Sequence, residues 1–208
     1  MTTEVRIKNI VFDIGQVLLT FNPEQYLRDQ FNLSTGQIKE IAKETFRSSI
    51  WLDLDRGRIS KNEAAEVFAQ RLPKYSQVLI EGVLNWEEIL NPIEPNVELL
   101  KEFKDSGVYD VYALSNFNDE SYQVAKNEFS FLNLFKGEVI SGEVGWIKPE
   151  PEIYELLLER FKLDPTETLF IDDSKENVDA AEEFGIKTIH YRNPEKLQRE
   201  IKHLNLLI

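Results

Sequence analysis

Cysteine is absent from the 208 residues, which excludes disulfides, thiolate metal sites and thiol nucleophiles. Histidine is almost as scarce, with only His190, in an apolar strand-like run, and His203, in a C-terminal helical pattern. A Ser-His-Asp triad therefore has little to draw on, and Ser115 lies outside any G-x-S-x-G frame. Positive charge is outnumbered: 24 Lys+Arg against 37 Asp+Glu leave a net charge of -13, which repels nucleic acid and anionic lipid. No run approaches the ~18 apolar residues of a membrane span. Met1 to Asn9 lacks the basic and apolar regions of a signal peptide. These absences predict a cytoplasmic protein with no nucleic-acid and no membrane partner. The two glycines at Gly142 and Gly145 have the wrong spacing for a dinucleotide fingerprint, so NAD is discounted.

What remains is ordinary globular material, 42% apolar and 29% charged, long enough for one large domain or a domain with an insert. Short apolar runs at Ile7 to Phe12, Val108 to Leu114, Thr168 to Ile171 and from Lys187 read as buried strands, each ending at a turn or a polar residue. Helical periodicity fills the gaps, as in Tyr154, Leu157, Leu158 and Phe161. Such alternation predicts right-handed crossovers and a Rossmann-like parallel sheet with helices on both faces, an α/β fold. From Phe21 to Asn91 the alternation stops, and capping-box signatures at Ser34/Gln37 and Ser60/Glu63 introduce successive helices. The expected organisation is a core of residues 1–20 and 91–208 interrupted by an all-helical insert over 21–90.

In a parallel sheet, residues just beyond the strand ends converge on one crevice. Here those are Asp13, Ser115 with Asn116, and Asp172 with Asp173. Carboxylates brought together need a cation, a proton or a positive side chain. An oxygen-rich set without Cys or nearby His favours Mg²⁺. Asp172 and Asp173 can equally cap the helix that follows, with Gly185 closing its far end. Lys148, in a loop stiffened by Pro149 and Pro151, offers a fixed positive charge. A nucleophile, a metal, a hydroxyl donor and a cation are the parts that phosphoryl transfer uses.

FDIGQVLL, LSN, IKPEPEIY and FIDDSKEN, in that order, resemble the four motifs of the haloacid dehalogenase superfamily across nearly the whole chain, and the insert resembles its helical cap. The resemblance implies that Asp13 attacks phosphorus and carries an aspartyl-phosphate, that Ser115 and the adjacent Asn116 bind the phosphoryl group, and that Lys148 holds both. It further implies a Mg²⁺ held by Asp13, the Gly15 carbonyl and Asp173, with Asp172 and Asn177 alongside. The expected activity is Mg²⁺-dependent hydrolysis of a small phosphorylated metabolite.

The sequence departs from the pattern at Gly15, where phosphatases of the superfamily usually place a second Asp as general acid and base. The Asp-x-Gly form resembles a branch of sugar-phosphate phosphatases that includes an α-D-glucose-1-phosphate phosphatase. Two alternatives follow: a catalytically weak binding or regulatory protein, motivated by Gly15, and a 2-haloacid dehalogenase, which Asp172 and Asp173 oppose. Glu24, Asp53 and Asp55 are the nearest replacement acids by sequence. Arg47, Trp51, Arg56 and Arg58 read as surface charges or a core aromatic. Oligomeric state is not legible in the sequence.

Overall fold

The computed structural model describes residues 6–46 and 48–206; Arg47 lies outside them. The first strand, β1 (Asn9–Phe12), is followed by α1 (Pro23–Phe31), α2 (Thr35–Glu44), α3 (Ser49–Asp55), α4 (Lys61–Arg71) and α5 (Ser76–Leu84). Helix α6 (Glu94–Asp105) then leads into β2 (Asp110–Ser115), α7 (Asp119–Glu128), β3 (Gly137–Ile140) and a single turn, α8 (Ser141–Val144). The chain closes with α9 (Pro151–Phe161), β4 (Thr168–Asp172), α10 (Lys175–Glu183), β5 (Lys187–His190) and α11 (Pro194–His203).

The strands pair in the order β3-β2-β1-β4-β5, and every pairing is parallel. The expected α/β sheet is therefore present, with β1 at its centre. Alternation along each strand sends side chains to two cores. Ile10, Phe12, Val111, Ala113, Leu169 and Ile171 face α6 and α11, while Val11, Tyr112, Leu114 and Phe170 face α9 and α10. Both sets are almost completely withdrawn from water. Each such aliphatic or aromatic side chain contributes about 1.5–3 kcal/mol by its burial.

Both capping boxes form: Ser60 Oγ accepts from Glu63 N (3.2 Å) while Glu63 Oε2 accepts from Ser60 N (2.8 Å), and Ser34 and Gln37 do the same for α2. At α10 the cap is Ser174 itself, and Asp172 Oδ1 accepts its N–H (2.8 Å), so the acidic pair sits ahead of the helix. Gly185 takes φ +79° just beyond that helix, as its sequence position predicts. Strand β3 is an element that periodicity misses. Its four residues begin with a glycine that a neighbouring ring requires, since a Cβ on Gly137 would lie 2.2 Å from Phe161. No helix among the described residues is long and apolar enough to cross a membrane.

Two glycines make opposite demands. Gly57 stands at φ +69° and a Cβ there would lie 2.3 Å from the Gly142 carbonyl oxygen, whereas Gly15 has open space around it and lies outside the left-handed region. Gly57→Ala is expected to lower unfolding free energy by about 2 kcal/mol or more, and Gly15→Ala by under about 1 kcal/mol, in urea titrations of the two variants.

Candidate active site

Register places the acidic tips side by side. Phe12 pairs with Ala113 on one flank and Ile171 on the other, so the next residue, Asp13, stands level with Leu114 and Asp172. The ladder continues one step further, since Asp13 N donates to Ile171 O (2.9 Å). The crevice lies beyond the carboxyl ends of the strands, around the strand where the winding reverses.

Asp13, Asp172 and Asp173 each bring a carboxylate oxygen within 4.8 Å of the others. Lys148 Nζ reaches Asp13 Oδ1 (2.8 Å), Asp172 Oδ2 (2.7 Å) and the Leu114 carbonyl (2.9 Å), and its side chain is only 1% exposed. Asp13 Oδ1 also accepts from Ser115 Oγ (2.8 Å) and Ile14 N (2.7 Å). All donors to Asp13 thus gather on one oxygen, and Oδ2 takes no hydrogen bond among the described residues. Asn177 Nδ2 returns along α10 to both oxygens of Asp172 (3.1 Å each), and Tyr154 OH donates to the Asn177 carbonyl (2.9 Å).

Electrostatics follow from three carboxylates facing one ammonium. Burial pushes the Asp13 carboxyl up to about 7 against the pull of Lys148, and the charges of Asp172 and Asp173 add to the rise. Asp173 is raised as well, by burial and by Asp172. For Lys148, burial disfavours the charge, yet Asp13 and Asp172 outweigh it and hold the ammonium above its ordinary range. The site is short of positive charge. An oxygen-only donor set with one carboxylate oxygen unengaged and excess negative charge fits a hard divalent cation.

Asn116 does something that its sequence position did not reveal. Its side-chain amide pairs with the Lys148 peptide in both directions, accepting Lys148 N–H at Oδ1 (2.7 Å) and donating from Nδ2 to the Lys148 carbonyl (2.9 Å). Glu150 Oε2 accepts from Ile147 N (3.0 Å), so the loop is held on both sides of the lysine. Ser141 Oγ, just past β3, accepts from Phe117 N (2.8 Å) and fixes the loop that carries Ser115 and Asn116. No local pattern flags these partners, which lie 24–32 residues away in Asn116 and Ser141. Among the candidate replacement acids, Asp53 pairs with Arg58 (3.3 Å) at the surface. Asp55 is half-buried, and desolvation of its carboxyl raises it to about 7 against the opposing charge of Arg56. Trp51 is buried in an aromatic group with Phe21, Phe46 and Trp86.

Fold and site together define a doubly wound α/β protein with an acid-and-lysine crevice at its switch point. A model of the haloacid dehalogenase-like hydrolases matches residues 7–185, and the chain belongs to that family. A sesquiterpene phosphatase of Aspergillus oryzae is 27% identical over 198 residues, 95% of this chain and 96% of its own. A D-ribitol-5-phosphate phosphatase of Bacteroides thetaiotaomicron is 26% identical over 202 residues, 94% and 97% of the two chains. Among solved structures, a wild-type family enzyme from Bacteroides thetaiotaomicron in complex with magnesium and inorganic phosphate is similar, with a TM-score of 0.72 and 31% identity. It covers 90% of this chain and 95% of its own.

Removing the ammonium strands two carboxylates. Lys148→Met is expected to cost about 3–5 kcal/mol in denaturant unfolding at pH 8. The loss should shrink at pH 5. Raised carboxylates bind protons in the folded state, so stability falls as pH climbs through the range near 7 to which Asp13 is already lifted. A loss that is equal at both pH values contradicts this account.

Proposed function

We propose that this protein is a Mg²⁺-dependent phosphatase that hydrolyses a small phosphorylated metabolite through an aspartyl-phosphate on Asp13. The observation that carries the reading is the geometry of Asp13 itself. One oxygen is pinned by Ser115, Lys148 and Ile14, and the other is left without a hydrogen bond at the mouth of a positively anchored crevice. The phosphatase relatives support it. The same reading divides the chain into a core of residues 1–20 and 91–208 and a helical cap of residues 21–90.

Asp13 forms the new bond to phosphorus as the ester P–O bond breaks, and the departing oxygen takes its proton from solvent water, since position 15 carries no acid. Water then cleaves the acyl phosphate, freeing inorganic phosphate and regenerating the carboxylate. Ser115 donates to a phosphoryl oxygen, assisted by Asn116, while Lys148 neutralises charge on the transferring group. Asp13, Asp173 and the Gly15 carbonyl, with Asp172 and Asn177 beside them, would hold Mg²⁺, which would supply further charge neutralisation. Sugar or polyol phosphates are the substrate class we favour, supported by the ribitol-5-phosphate phosphatase among the relatives.

A panel of p-nitrophenyl, sugar and polyol phosphates tests the reading. Phosphate release should require Mg²⁺, stop with EDTA, and fall at least ~10³-fold in Asp13→Asn. Absence of Mg²⁺-dependent release across the panel sinks it.

The absent acid at Gly15 favours one other reading, a binding or regulatory protein with little turnover, and sustained hydrolysis at ordinary enzyme rates would eliminate it. Because Gly15 has room for a side chain, Gly15→Asp should raise kcat toward poor leaving groups by roughly 10-fold or more, general acid help being worth ~10²–10⁴. Unchanged rates would mean that another group already delivers the proton.

A further inference from the structure

The helical insert meets the sheet domain at the turn that follows α3. Gly57 lies with its backbone against Gly142, and Ser141 Oγ donates to the Asp55 carbonyl (2.6 Å). Between these two contacts, Arg56 leaves the turn and reaches a different loop, where its guanidinium donates to Glu150 Oε1 across 94 residues of sequence. The pair is sheltered, with the Arg56 side chain 14% exposed and that of Glu150 30%. Arg56 is thus a half-buried strut, contrary to its reading as a surface charge.

Glu150 divides its carboxylate between two partners. One oxygen takes Arg56, and the other takes the N–H of Ile147, the residue before Lys148. With the Asn116 amide clamping the Lys148 peptide from the β2 side, the lysine backbone is held at two points, and one depends on the insert. Without Arg56 the Glu150 side chain loses the partner that restricts its rotamers, so its bond to Ile147 N competes with water at a greater entropic cost. We propose that Arg56 is a positioning residue for Lys148: seating of the helical insert sets the lysine loop through Glu150. The inference rests on the reading of Lys148 as the ammonium that serves phosphoryl transfer.

Two measurements test it. Amide hydrogen exchange by NMR on the whole protein reads the loop without any substrate. Arg56→Ala should speed exchange at Ile147 by ~10-fold or more, with Leu157 on the buried face of α9 keeping its protection. Arg56→Lys should restore most of the protection at Ile147. Steady-state kinetics on p-nitrophenyl phosphate with Mg²⁺ reads the consequence. Arg56→Ala and Glu150→Gln, which keeps an acceptor for Ile147 but loses the ion pair, should each lower kcat by ~5–20-fold with KM within ~2-fold. The double variant should be no slower than the worse single one.

Wild-type exchange at Ile147 in Arg56→Ala overturns the proposal. So does a rise in KM at constant kcat, which would place Arg56 on the substrate, and so do additive losses in the double variant. A wild-type protein without turnover refutes the phosphatase reading alone, and the exchange measurement still decides this one.

Discussion

A lysine ammonium closed off from water lies between Asp13 and Asp172, and the crevice is organised around that charge. Taking such a group out of water costs several kcal/mol, recovered only when its three protons all find acceptors. Asp13, Asp172 and the Leu114 carbonyl provide them. One cation against three carboxylates still leaves an excess of negative charge. Burial first, and then the charges of Asp172 and Asp173, hold Asp13 up near 7 against Lys148, and the excess charge is the feature that a divalent ion relieves. The affinity for a cation is thus a consequence of incomplete compensation by Lys148.

Parallel register turns this local economy into a site. Asp13 and Asp172 become neighbours because β1 and β4 run in step, and Ser115 arrives because β2 does the same on the other flank. That much was legible, because each strand is a short β-branched run whose end is marked by a polar residue. Strand β3 was not legible: its apolar half is two residues long, and its glycine answers to a ring on α9. The second layer of the site was equally hidden. Asn116 with the Lys148 peptide, and Arg56 with Glu150, are partners 32 and 94 residues apart, and neither leaves a periodicity or spacing that one sequence displays. Residues that touch the reacting group follow local rules of strand and turn, while residues that hold them in place are chosen by tertiary contact.

Backbone approach explains which glycines matter. Gly57 and Gly142 let two main chains touch, and Gly142 is itself pressed against Asp119 N at a distance of 2.3 Å for any added Cβ. A chain of contacts runs from the insert through Gly142 to the β2–α7 loop, with Ser141 bonding both Phe117 and Asp55 on the way. The insert and the loop that carries Ser115 and Asn116 consequently share one set of supports.

Gly15 is the opposite case, since nothing presses on it and sterics do not explain its identity. Chemistry supplies the reason that packing does not. On the proposed phosphatase reading, stabilisation by Lys148, Ser115 and a metal would act on charge at phosphorus whatever the leaving group, whereas a general acid matters in proportion to how basic that group is. Losing it costs about 3–5 kcal/mol for an alkoxide and far less for an oxygen whose conjugate acid is already strong. On that reading an anomeric or acyl oxygen would lose little from the absence. A primary alcohol needs a proton from elsewhere. On the proposed phosphatase reading, a missing acid at position 15 would thus narrow the leaving groups in proportion to how basic the departing oxygen is.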